Sequence, residues 1–532
     1  MTISASSLTG AHRFAHVFSQ AAHLPVLFLL FGLLQGCALP QLSDRTESSA
    51  LSEQQARNTL LGKALVQRVQ QNKGKAGLYP LHDPKEAFAS RMALLRAAER
   101  TIDIQYYLWR SDTTGTLMLN ELRRAADRGV RVRLLLDDNG ITGLDHQLNW
   151  VDSHPNVEVR LFNPFVIRNP KWLGYVTDFS RVNRRMHNKT FTVDNQVTIA
   201  GGRNIGDEYF GATDDALFTD LDMLCVGLVV NAVSQDFDAY WRSDSAYPAS
   251  KILLPTDPAI LQKLEAEVSA LDQTERAAPY VVPVRESVFL RDFLNGTLPL
   301  QWTFVRMVSD SPAKGLNEAS REDLLVADLR DFIGQPVLSM NVVSPYFVPS
   351  EKGVEFFSRL ARTGVNVQVL TNSLEATDVA AVHSGYAKIR KELLKAGVKL
   401  FELKSTPDAV KPRRGKRNAM LGSSGSSLHT KTFSVDGSRV FVGSFNFDPR
   451  SVNLNTEMGL LIQSPGLATQ IDLAFQALPT MAYEVRLDEN ESLVWVERQA
   501  GKEVFHDLEP KATAWRKMMV FFYSLLPIND LL

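Results

Sequence analysis

Two stretches of the chain carry the same polar residues at the same spacing. MHNKTFTVDNQVTIAGGRN, residues 186–204, returns as LHTKTFSVDGSRVFVGSFN, residues 428–446. Both read H-x-K-x4-D, then six residues, then G-[GS]-x-N. The matched pairs are His187 and His429, Lys189 and Lys431, Asp194 and Asp436, and Asn204 and Asn446. One imidazole can attack phosphorus and hold the transferred group covalently. A second can protonate the leaving oxygen and then deprotonate the acceptor, because its pKa lies near neutrality. Two ammonium groups offset charge on the non-bridging phosphoryl oxygens. Asn204, Asn446 and Ser444 add neutral donors for the same oxygens. Two such sets in one chain suggest a single phosphoryl-transfer site assembled from two halves.

In an extended strand, the His and Lys of His-x-Lys point to one face, so both reach one phosphate. The motif aspartates lie an odd number of positions beyond the lysines and face the other way. Asp194 and Asp436 are therefore counted with the catalytic motif but given a scaffolding task, holding a neighbouring donor. Asp222 in FTDLDML and Glu457 in LNTEMGL align at the offset that superposes GVRVRLLLDD on GVNVQVLTNS. A carboxylate on the second nitrogen of each imidazole would fix its tautomer, so these two acids are the expected orienting pair. Lysines two residues from each histidine argue against a metal, and no metal or cofactor is expected.

The elements around both motifs repeat as well. TIDIQYYLW (101–109), VRVRLLLDD (130–138) and NVEVRLF (156–162) read as strands, with an amphipathic helix over 114–129 ended by Gly129. The second half answers with strands at 335–347, 365–372 and 398–403 and helices at 350–364 and 377–397. This alternation predicts an α/β fold, two domains with mixed sheets packed as a pseudo-dimer around one active site. The expected divisions are 1–37, a signal sequence; 38–75, a tether or loosely packed helix; 76–250, the first domain; 251–334, a connector; 335–480, the second domain; and 481–532, a C-terminal segment.

The bulk numbers exclude some classes. Of 532 residues, 45% are hydrophobic and 22% charged, and the net charge is −1. A dedicated nucleic-acid binder would carry a basic excess, so no nucleic-acid partner is expected. Two cysteines, Cys37 and Cys225, rule out a disulfide framework. Cys225 sits in an apolar strand-like run and reads as a core thiol. Cys37 ends Leu-Gln-Gly-Cys after the short apolar run 24–34, which is too short for a comfortable span and fits a secretory h-region. This resembles a lipobox, with Cys37 as lipidation site; an uncleaved anchor, a misplaced start codon or a meaningless run are the other readings. A lipoprotein facing the periplasm of a bacterial envelope is the expectation. The C-terminal KATAWRKMMVFFYSLLPINDLL places Trp515, Met518, Met519, Phe522 and Leu525 on one surface beside Arg516 and Lys517. That surface suits either a membrane interface or the protein's own core. Arg184 and Arg185, and Lys411 to Arg417, were candidates for holding anionic headgroups. Tyr346, His383 and Tyr386 were candidates for lining the pocket.

The duplicated motif resembles the phospholipase D superfamily. DIQYYLW, RVRLLLDDNG, LGYVTDFSRVNRRMHNKTFTVD, SPYFVP, LTNSLEATDVAAVHSGYAKIRKELL and GSFNFDPRSVNLNTEMG are similar to its bacterial cardiolipin synthase C branch, over about residues 80–532. The resemblance implies a metal-independent phosphatidyl transferase. Phosphatidylethanolamine or phosphatidylglycerol would give its phosphatidyl group to a histidine, and the hydroxyl of phosphatidylglycerol would take it, forming cardiolipin. It implies His187 as nucleophile, His429 as general acid and base, and a membrane surface as partner. Water as acceptor, giving phosphatidic acid, and a phosphodiester nuclease are the alternatives. The first copy departs from the commoner Gly-Ser with Gly201-Gly202, which makes the halves unequal.

Overall fold

The computed structural model describes residues 39–43, 45–211, 220–377, 379–405 and 428–527. The expected signal sequence with Cys37 lies outside the described residues, as does the basic cluster from Lys411 to Arg417.

Nine strands precede the second half: β1 (Ala76–Leu81), β2 (Thr101–Leu108), β3 (Arg131–Gly140), β4 (Val157–Phe162), β5 (Thr190–Val193), β6 (Val197–Gly201), β7 (Asp222–Gly227), β8 (Ala246–Pro248) and β9 (Gln301–Ser309). Nine more build it: β10 (Ser339–Val343), β11 (Asn366–Asn372), β12 (Lys399–Leu403), β13 (Thr432–Val435), β14 (Arg439–Gly443), β15 (Met458–Gln463), β16 (Ala482–Leu487), β17 (Leu493–Gln499) and β18 (Lys502–His506). The first sheet runs β8-β4-β3-β2-β5-β6-β7-β1. The second runs β16-β12-β11-β10-β13-β14-β15-β9, with β17 and β18 added outside β16. β1 and β9 thus hold equivalent edges, and they pair with each other through Leu78 and Gln301 to Ala76 and Thr303. That pairing joins the halves.

The central strands are apolar on both faces because helices or the other half cover both. Val132, Leu134 and Leu136 of β3 pack with Leu119 and Leu122 of the helix Thr113–Asp127. Leu135, pointing the other way, meets Phe237 and Trp241 of the helix Leu228–Arg242. The second half repeats the arrangement, with Val367 and Val369 against Phe357 on one face and Leu370 with Phe475 on the other. One core cluster is shared: Leu78, Met223 and Cys225 from the first half pack with Val440, Val442 and Leu460 from the second. The sequence expectation of a buried Cys225 thiol agrees with this.

Gly129 and Gly364 adopt left-handed φ of 90° and 92° just past their helices, where a side chain would strain the backbone. Residues 45–71, expected as a tether or loose helix, are fastened instead. Arg133 donates to the Ser48 carbonyl, Arg131 to that of Ser49, and Leu61 and Leu65 enter the first core. The stretch 251–334 is also more than a spacer. Its helices bury Val268, Phe289 and Phe293 in the first core, and β9 borders both sheets.

Candidate active site

β5 runs antiparallel to β2, and β13 to β10. The chain therefore enters β5 and β13 at the C-terminal ends of the parallel strands, the usual ligand end of such sheets. His187 and Lys189 lie in the extended lead-in to β5, and His429 and Lys431 in the lead-in to β13, just outside the strands proper. Each lysine curls back onto the carbonyl of its own histidine: Lys189 Nζ donates to His187 O at 2.7 Å, and Lys431 does the same to His429.

The two histidines are oriented across the halves. His187 Nδ1 lies 2.9 Å from Glu457 Oε2, and His429 Nδ1 lies 2.7 Å from Asp220 Oδ2. Backbone pairing explains the first contact. His187 N donates to Thr456 O, and Thr456 N donates to Arg185 O, both at 2.9 Å, which sets Glu457 beside the imidazole. With Nδ1 on a carboxylate, Nε2 of each ring is left for chemistry.

The structure sets Glu457 beside a histidine but places Asp222 elsewhere. Asp222 accepts from Arg91 Nη2 at 2.7 Å and Arg203 Nη1 at 3.1 Å, with all three side chains about 1% exposed. Strand register gives the reason. Gly201 of β6 faces Asp222, whereas Gly443 of β14 faces Gly459, so Glu457 corresponds to Asp220, two residues earlier. The sequence carried the signal in FTDLDML, which offers two aspartates on one face; only the register chooses between them.

The Gly202 and Ser444 difference follows from the same pair of acids. A Cβ at Gly202 would sit 2.3 Å from Asp220 Oδ1, so only glycine admits the short carboxylate. In the other half, Ser444 Oγ donates to Glu457 Oε2 and accepts from Met458 N. Ser444, expected to bind phosphate, is fully buried and committed to Glu457. Ser451 Oγ donates to Glu457 Oε1 at 2.9 Å. Asp310 Oδ2 accepts from Glu457 N and from Lys314 Nζ, each at 2.8 Å. No sequence pattern pointed to Asp310, which comes from the stretch read as a connector.

Asn204 donates from Nδ2 to the Tyr209 hydroxyl and accepts from Leu108 N. Asn446 is buried, and its Oδ1 has no hydrogen-bond partner among the described residues. Two aromatic rings missed in the sequence flank the imidazoles edge-on: Tyr107 lies 5.0 Å from His187, and Tyr209 lies 5.3 Å from His429, centroid to centroid. Tyr209 stands where the second half has Ser451, five residues after the motif asparagine in both.

The motif aspartates lie at the far ends of β5 and β13, in left-handed turns. Asp194 accepts from the N–H groups of Glu99, Arg100 and Thr101, and Asp436 from those of Val337, Leu338 and Ser339. Each ties its β-hairpin to the start of β2 or β10, well removed from the imidazoles. Arg185, a candidate for headgroups, is buried in an ion pair with Asp137. Arg184 donates to the carbonyls of Lys314 and Asn453, bracing one half against the other. His383 and Tyr386 are buried; His383 contacts Glu509 at 3.0 Å.

Burial lowers the His187 pKa well below the ordinary imidazole value, and Lys189 and Lys431 lower it further. Burial and Lys431 also lower His429, against the pull of Asp220. Burial pushes Glu457 up to about 7 despite Lys189 and its two serine donors. Asp220 is buried too, but His429, Arg203 and Lys431 outweigh that and hold it down to about 2. Burial and Lys431 bring Lys189 down to about 7. A bound phosphate would restore full charge to Lys189. Among the described residues, no group of three or more His, Cys, Asp or Glu side chains is arranged to hold a metal ion.

Two sheets of one order, each sending a His-x-Lys to a shared site, define a duplicated phospholipase D-type protein. The chain belongs to the family described as cardiolipin synthase, PLD-like domain, which matches residues 92–241 and 329–478, one stretch in each half. It is 47% identical over 475 residues to cardiolipin synthase C of Escherichia coli strain K12, covering 89% of this chain and 99% of that protein. It is 26% identical over 394 residues to a cardiolipin synthase of Staphylococcus aureus strain N315, covering 74% of this chain and 65% of that protein. The crystal structure of phosphatidylserine synthase from Haemophilus influenzae Rd KW20 shares the fold, with a TM-score of 0.55 at 13% identity, covering 89% of this chain and 100% of that one.

Proposed function

We propose that the protein is a phosphatidyl transferase that forms cardiolipin through a phosphatidyl-histidine intermediate. The supporting observation is the pair of imidazoles, each held at Nδ1 by a carboxylate of the other half. His187 Nε2 attacks the phosphorus of a donor phospholipid, phosphatidylethanolamine or phosphatidylglycerol. The bond to the headgroup oxygen breaks, and His429 Nε2–H supplies its proton. His429 then takes the proton of a phosphatidylglycerol hydroxyl, whose oxygen attacks phosphorus and frees His187. Lys189 and Lys431 hold the non-bridging oxygens, with Asn204 and Asn446 beside them.

The assignment of roles rests on the unequal surroundings. A nucleophile must be neutral, and the lysines and burial favour neutral His187. A general acid needs a stable protonated form, and ionised Asp220 favours one at His429. The His429 side chain is also more exposed, 21% against 10% for His187, which suits the group that meets leaving and entering alcohols. The domain limits 76–250 and 335–480, the action at a membrane surface and the envelope location are part of this proposal. Among the described residues, no helix is long and apolar enough to cross a membrane.

Purified protein with labelled phosphatidylglycerol, with and without phosphatidylethanolamine, tests it by mass spectrometry of the lipids. Cardiolipin that is lost in His187→Ala and in His429→Ala, and that survives a chelator, supports the transferase. Phosphatidic acid as sole product would replace it with a hydrolase, and unchanged lipids would end both readings.

A further inference from the structure

The chain has seven tryptophans, and two are exposed: Trp172 at 62% and Trp515 at 65%. They lie in different halves, and each belongs to an exposed apolar patch. The first patch is Trp172, Val176 and Phe179, on the short helices after β4. The second is Trp515, Met518, Phe521, Phe522 and Leu525, on the helix Ala514–Ser524, none of whose side chains is buried.

Both patches are fixed to the histidine end of their own sheet. Tyr175 donates to Asn139 at 3.0 Å, Asn139 donates to the Tyr107 hydroxyl, and Tyr107 packs on His187. Lys171 and Arg168 pair with Asp138 beside them, at the end of β3. In the second half, Arg516 donates to the carbonyls of Leu374 at 2.7 Å and Glu375, just past the end of β11. Asn372, the last residue of β11, exchanges two hydrogen bonds with the backbone of Leu428, which precedes His429. β3 and β11 are equivalent strands, so the patches are the equivalent rims of one two-half site. They differ entirely in sequence and in the elements that carry them.

We propose that the two patches enter the interfacial layer of a phospholipid bilayer together and seat the mouth of the site on the lipid surface. This rests on the phospholipid-transfer reading. Exposed tryptophan and phenylalanine beside basic side chains match an interface with anionic headgroups. Residues 511–524 carry Lys511, Arg516 and Lys517 and no acid; beside the first patch Arg168 and Lys171 are paired with Asp138 and Asp145, and Arg181 with Asp178, so the basic excess lies mainly at the C-terminal patch. A bilayer containing phosphatidylglycerol is the occupant that fits this charge and is also the source of substrate. Among the described residues nothing covers the apolar face of the C-terminal surface, as the interfacial reading of the sequence requires, while Arg516 anchors it to the protein.

The test uses the full-length chain and vesicles of phosphatidylglycerol and phosphatidylethanolamine with brominated acyl chains, which quench tryptophan they contact. Quenching is expected, with Trp172→Phe and Trp515→Phe each removing a separate part of it. Phe179→Ser combined with Phe521→Ser should lower turnover on vesicles about tenfold and leave turnover on monomeric short-chain phosphatidylglycerol within twofold. Quenching unaffected by either tryptophan substitution would overturn the proposal, as would loss at Trp515 alone or equal loss on monomeric lipid. If the unaltered protein transfers nothing between monomeric lipids, the transferase reading fails, while the quenching still decides the docking.

Discussion

The two histidines sit in matching folds but in different electrostatic surroundings. His187 faces Glu457, a long carboxylate reached by Ser444, Ser451 and the Asp310 network, and raised to about 7 by burial. His429 faces Asp220, a short carboxylate without a serine, made possible by Gly202 and held at about 2 by surrounding cations. The substitution of Gly-Asp for Ser-Glu is therefore one change in two places. The short Asp220 occupies the space that Gly202 leaves, whereas the longer Glu457 stands beside a serine that anchors it. On the proposed roles, a duplicated site would gain two functions by altering the partner of each imidazole while both imidazoles stay the same.

The largest expected effect comes from spoiling that fit. Gly202→Ser makes the first half resemble the second in sequence, yet its Cβ would meet Asp220 at 2.3 Å. Transfer should fall about 100-fold through misplacement of His429, while Ser444→Gly, the reverse exchange, should cost about tenfold because Ser451 remains on Glu457. Steady-state transfer rates check both, and equal losses would mean that the halves are interchangeable.

A smaller effect sharpens the contrast in charge. Glu457 rises from an ordinary 4.5 to about 7 in the folded protein, so the fold binds its proton more tightly than the unfolded chain does. Its stabilising share is full below pH 4.5 and is lost as pH rises through 7. Glu457→Gln cannot ionise and should gain stability over the unaltered protein as pH goes from 5 to 8, by roughly 2 kcal/mol, while losing transfer. Thermal melts at the two pH values measure it. Asp220→Asn, whose acid is ionised throughout that range, should show no such gain.

Much of the site was legible because its chemistry is local. His-x-Lys is carried in three residues, and the repeat announced two halves. The fold was legible for a similar reason: alternating strand and helix patterns, ended by Gly129 and Gly364, need no long-range information. Contacts between distant segments were not. Asp220 and Asp222 differ by one strand step, and the pairing of β6 with β7 decides between them. Ser444 looked like a phosphate donor because its partner, Glu457, comes from the next strand. Asp310 belongs to no motif, and Tyr107 and Tyr209 reach the imidazoles from separate elements. The scaffolding task expected of Asp194 and Asp436 rests on strand alternation, whereas the structure sets both aspartates in left-handed turns just past β5 and β13.

Each imidazole is oriented by an acid of the other half, His187 by Glu457 and His429 by Asp220. Nuclear magnetic resonance of 15N-histidine-labelled protein tests it through the low-field Nδ1–H proton of His429. The account predicts that this signal is lost or moves strongly upfield in Asp220→Asn. In Asp222→Asn, which leaves Arg91 and Arg203 without their charge partner, the signal should survive wherever the protein remains folded. A signal unmoved by Asp220→Asn, but lost in folded Asp222→Asn, would contradict the assignment of Asp220 as the acid that orients His429.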